Sequence, residues 1–129
     1  MLVRRIDQVG QQQMSMPGAE GVRMRLMIGR EDGAPTFAMR QFEVEPGGHT
    51  PLHRHNYEHE VLIVEGSGRI ADSDDGASTR EIGAGDVVFI PANQVHQFRN
   101  ESQKPFKFMC LVPTHFDCGQ SAPSPTPGS

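Results

Sequence analysis

A chain of 129 residues and 14.2 kDa fits one domain with a small core of its own. Its formal charge of −4 and pI near 5.8, with no basic run longer than Arg4-Arg5, exclude the electrostatic footprint of a nucleic-acid binder. The stretch MLVRRIDQVGQQQM lacks the apolar centre of a signal peptide, and no apolar run approaches the ~20 residues of a membrane helix, so the expected setting is soluble and cytoplasmic.

Residues 1–21 show little periodicity, and Met16-Pro17-Gly18 marks a turn, so an extended arm is expected to lead into the domain. From Val22 the period becomes two: Val22, Met24, Leu26 and Ile28 alternate with Arg23, Arg25 and Met27, as on a half-buried strand. After the turn Glu31–Pro35 a second strand runs from Thr36 to Pro46, with Phe42 and Val44 opposite Gln41 and Glu43. A histidine-rich stretch follows Gly47-Gly48, then the apolar run VLIVEG, a strand at 69–71, a hairpin turn containing Asp75-Gly76, and its return at 80–82. Further strands are predicted at Val87–Ile90, around His96, Phe98 and Asn100, and over Phe106–Val112. Short strands with turns every 8 to 12 residues and no helical period argue an all-β sandwich or barrel. The domain is expected over residues 22–116, followed by a disordered tail at 117–129, where small and polar residues are mixed with prolines. Cys110 and Cys118 are too few for a disulfide framework and are expected as thiols.

Four of the six histidines, His53, His55, His59 and His96, fall in two blocks at spacings that suit one metal ion. His53 and His55 are two apart, so on a strand both point to one face, roughly 6.7 Å apart along the chain. His59 or Glu60 begins the next strand, and alternation allows only one of them to face inward. A lone histidine in a strand is most often a polar residue on a wet face. Three imidazoles within seven residues, folded into one interior, would suffer desolvation and mutual repulsion unless a cation used their lone pairs.

The spacing of these residues resembles the two motifs of the cupins. Gly47, five residues, His53-x-His55, three residues, His59, six residues and Gly66 match the first motif with histidine at the usual acidic position, and in that register Glu60 faces outward. Gly85, Pro91, His96 and Asn100 match the second, with Asn93 in place of a glycine, the substitution best tolerated in a left-handed turn. The closer resemblance is to small single-domain four-histidine cupins that bind manganese. It implies a jelly-roll barrel with one divalent metal held by His53, His55, His59 and His96. Manganese is the metal so implied, although imidazole ligands suit iron, nickel, copper and zinc as well. The interior face of the last strand would carry Phe108 and Cys110. Phe98, His49 and Tyr57 complete the set of pocket candidates, and His115 is expected at the surface.

Four neutral ligands leave the metal its full charge and open positions, which suits catalysis rather than a closed structural site. The resemblance implies an oxidoreductase of the dioxygenase type acting on a small organic substrate, with oxidative cleavage of a carbon–carbon double bond among the activities. The alternatives are a non-redox lyase or isomerase, with His49 or Tyr57 as proton carrier, and a binding module that catalyses nothing. Exposed edge strands make a homodimer the expected assembly.

Overall fold

The computed structural model describes residues 1–116; the expected tail and Cys118 lie outside them. Nine strands follow one another: β1 (Gln12–Gln13), β2 (Glu20–Ile28), β3 (Phe37–His49), β4 (His59–Glu65), β5 (Ser67–Ala71), β6 (Thr79–Gly83), β7 (Val87–Ile90), β8 (Gln97–Arg99) and β9 (Phe106–Pro113). The only helical pieces among the described residues are three 3₁₀ turns of three residues each, so none is long and apolar enough to cross a membrane. Every strand pair is antiparallel, in the order β6-β5-β8-β3-β9-β4-β7, with β2 on β3 and β1 on β2. The sheet curls around one core as an all-β jelly roll.

Alternation fixes which side chains enter the core. On β4 His59, Val61 and Ile63 are buried while Glu60, Leu62 and Val64 are exposed, and on β9 Phe106, Phe108, Cys110 and Val112 are buried. Phe108 stacks on Phe98 at 4.3 Å and on Phe42 at 5.4 Å, giving the barrel an aromatic floor. The hairpin at Asp75-Gly76 joins β5 to β6, and Gly76 takes a positive φ of 72°.

Two expectations need correction. On β2 the alternation holds only to Met24; the register against β3 shifts between Leu26 and Ile28, so Met27, not Leu26, is buried. The stretch before residue 22 is more than a lead-in. β2 starts at Glu20, Gln12 and Gln13 pair with Met24 and Arg23, and Met14 packs against the core.

Candidate metal centre

The two histidine blocks meet through a single antiparallel bridge. The His53 amide donates to the His96 carbonyl at 3.1 Å and the His96 amide to the His53 carbonyl at 2.9 Å. Two more links extend this seam. Thr50 and Phe98 bond through backbone and through the Thr50 hydroxyl, and Gly47 and Gly48 bond to Asn100. Asn93 adopts φ of 70°, the left-handed turn for which asparagine is the best substitute for glycine, and its amide donates to the His55 carbonyl. The Asn100 side chain closes the loop before β9, donating to the carbonyls of Val44 and Lys104 and accepting from Ser102.

This backbone brings one ring nitrogen each of His53, His55 and His96 within 4.8 Å of one another. His59 stands beside them, its ring centroid 4.8 Å from that of His55 and 5.2 Å from that of His96, without its nitrogens joining that tight set. His55, His59 and His96 are buried, at 5%, 6% and 4% exposure. Their ring nitrogens are open to a ligand. His59 Nε2 and His55 Nδ1 are buried without a hydrogen bond among the described residues, whereas His96 Nδ1 lies 2.9 Å from the Gln94 carbonyl. Donation to that carbonyl leaves the His96 Nε2 lone pair for a metal.

Electrostatics keep these rings neutral. Burial, then the nearby His53, His96 and Arg40, lowers the pKa of His55 to about 3. Burial followed by Arg40 and the other histidines pushes His59 lower still, and His96 is lowered chiefly by burial against the opposing bond to Gln94. Neutral imidazoles with orphaned nitrogens form a donor set that fits a divalent cation. Glu60 stands on the outer face of β4, its carboxyl raised by its bond with Glu58, so it takes no part in this cluster.

The cavity in front of the histidines has about 590 Å³ of space with its mouth included, within the range of small-molecule sites. Phe98, Phe108, Cys110 and Tyr57 all line it. Tyr57 is buried rather than turned to solvent, sandwiched between His55 at 4.6 Å and Phe116 at 4.0 Å. His49 does not line it. Its Nδ1 lies 3.2 Å from the Thr50 carbonyl and 3.4 Å from Gln97 Nε2, because strand alternation and Pro51 turn it away from His53.

Three wall residues escaped the sequence reading. Arg40 is 4% exposed on β3 and its guanidinium lies 4.9 Å over the Phe42 ring, with Nη2 3.4 Å from Cys110 Sγ. The signal was there: Ala38, Arg40, Phe42 and Val44 share one face by period two, so an arginine falls on the core side. Met14 and Met16 come from the segment before β2, whose weak periodicity carried no such signal. Cys110 Sγ also lies 3.0 Å from His59 Nδ1, so this sulfur joins the arginine to the histidine cluster.

The family model for the cupin domain matches residues 40–112, more than half of the chain and all of the histidine-bearing segments. The chain belongs to the cupins. Among the relatives of this cupin is 1-methylthio-D-xylulose 5-phosphate methylsulfurylase of Rhodospirillum rubrum, 38% identical over 77 residues, which are 60% of this chain and 47% of the relative. Auxin-binding protein 1 of Arabidopsis thaliana is 24% identical over 122 residues, 86% of this chain and 58% of the relative. The chain thus spans about half the length of the curated relatives it matches. Among solved structures the polyketide cyclase RemF from Streptomyces resistomycificus superposes with a TM-score of 0.83 at 33% identity, covering 88% of this cupin and 80% of RemF.

Proposed function

We propose that this cupin is a divalent-metal enzyme that binds a small carbonyl compound bearing an anionic group and moves a proton at the carbon beside the carbonyl. The observation that carries this reading is the lining of one cavity by neutral histidines, two of them with orphaned buried nitrogens, together with the guanidinium of Arg40. No Asp or Glu is among the residues that line it. His53, His55 and His96 would hold the metal, with His59 completing the set through Nε2. When bound, the ion supplies Lewis acidity that polarises a carbonyl oxygen.

The rest is done by the chain. Arg40 pairs with the anionic group, and the low dielectric around Phe42, Phe98 and Phe108 strengthens that pairing. Tyr57, held flat between His55 and Phe116, carries the proton. The aromatic floor excludes water from the reacting carbon. The names of two relatives, a cyclase and a methylsulfurylase, fit a site that works on carbonyl-bearing substrates better than one that needs O₂.

The test is solvent deuterium exchange, followed by NMR, in a panel of 2-oxo and 3-oxo carboxylates under anaerobic conditions with Zn²⁺-loaded protein. Exchange is expected, and Tyr57→Phe should slow it about 10²-fold or more with metal affinity unchanged. Failure of every compound to exchange, or turnover that requires O₂, would overturn the reading. The apolar wall favours one second reading, the dioxygenase that cleaves a carbon–carbon double bond. The Cys110 thiol in that wall counts against it, because a thiol beside an oxidising centre is readily converted to sulfenic or sulfinic acid.

A further inference from the structure

Apolar side chains also cover much of the outer face of the sheet, where an antiparallel barrel normally presents polar residues to water. The strand register shows that they are contiguous. Leu62 lies between Val87 on β7 and Met109 on β9, and in the next row Phe89, Glu60, Leu111, Met39 and Ile28 follow one another from β7 to β2. Val87 is 78% exposed and Phe89 61%. Each of these strands is apolar on both faces, a pattern that fits a sheet covered on both sides.

Two grooves divide this face and share Met39 and Met109. The first is walled by the N-terminal segment, through Leu2, Val3 and Ile6, which is tied down by Arg4 Nη1 to the Met27 carbonyl, Arg4 to Asp32 at 2.9 Å, and Arg25 to the Ile6 carbonyl. The second, over Leu62, Val87 and Phe89, carries no such cover. The segment also turns apolar side chains away from its own sheet: Met1 and Val3 are almost wholly exposed.

We propose that a second copy of this chain covers the face, about a twofold axis near the shared Met39 and Met109, so that each N-terminal segment seats Met1 and Val3 in the partner's second groove. One chain carries both halves of a complementary surface and cannot join them itself, which is the condition for an isologous pair. Charge agrees: Arg5, 77% exposed, belongs to the segment, and Glu58 and Glu60 border the groove it would enter. Size requires the segment. Four inter-strand spacings and two alternate-residue steps give the flat face a footprint of roughly 300 Å², short of the ~800 Å² per partner of a stable complex.

Sedimentation equilibrium of the full chain tests this. The expected species is twice the 14.2 kDa chain mass. Phe89→Asp or Val87→Asp should weaken association at least about 30-fold, and removal of Met1–Val3 should do the same should either substitution disturb folding. Arg5→Glu should weaken it up to about tenfold, with recovery when combined with Glu58→Arg. A monomer at every concentration, or a dimer indifferent to these changes in variants with native circular dichroism, would overturn the proposal.

Discussion

At the scale of single residues, Cys110 is the most connected side chain in the wall of the site. Its sulfur receives the Arg40 Nη2 at 3.4 Å, sits 3.0 Å from His59 Nδ1, and can donate to the Leu111 carbonyl at 3.9 Å. A histidine that offers Nε2 to a metal commonly donates its other ring proton to a fixed acceptor, which sets both tautomer and ring angle. Here that acceptor is a thiol. Cys110→Ala should therefore cost about tenfold to 100-fold in metal affinity, measured by titration with Co²⁺ and its visible absorption, while Cys110→Ser should restore much of it. Equal affinity in the alanine variant would show that His59 is positioned by packing alone.

At the scale of elements, the strands were legible because alternation along β3, β4 and β9 is nearly unbroken, and the hairpin at Asp75-Gly76 announces itself. The same alternation placed Phe108 and Cys110 in the wall. It could not reveal the register shift near Leu26, which depends on how β2 meets β3, nor the pairing of Gln12 and Gln13, since two polar residues carry no period. His49 was misplaced because two-step counting was carried across Pro51, where the ladder breaks. The glycine that closes the first motif is fixed by its surroundings. Gly66 has φ of 80°, and a Cβ there would collide with the Pro105 carbonyl. Gly66→Ala is thus expected to lose about 2 kcal/mol or more from combined strain and overpacking, seen as a lower urea midpoint. An unchanged midpoint would mean that the β4–β5 turn shifts away from Pro105 without cost.

At the scale of the whole molecule, the histidine cluster joins otherwise separate parts of the barrel. His59 comes from β4, His53 and His55 from the segment between β3 and β4, and His96 from the edge of β8. An ion held by all of them binds the folded chain alone, so its binding free energy becomes folding free energy. At 100-fold excess over the dissociation constant this amounts to about 2.7 kcal/mol, or roughly 10 °C in melting temperature for a domain of this size. Without metal the same cluster works in the opposite direction as acid is added. The folded chain keeps His55 neutral down to about 3, whereas the unfolded chain protonates it near the ordinary 6.5. Between those values the unfolded state binds the extra proton, and stability falls as the pH is lowered through that window. Thermal melts of metal-free and Zn²⁺-loaded protein across that pH range should show both effects. His53→Ala should remove the metal-dependent rise at neutral pH; a variant still stabilised by Zn²⁺ to the same degree would place the ion elsewhere.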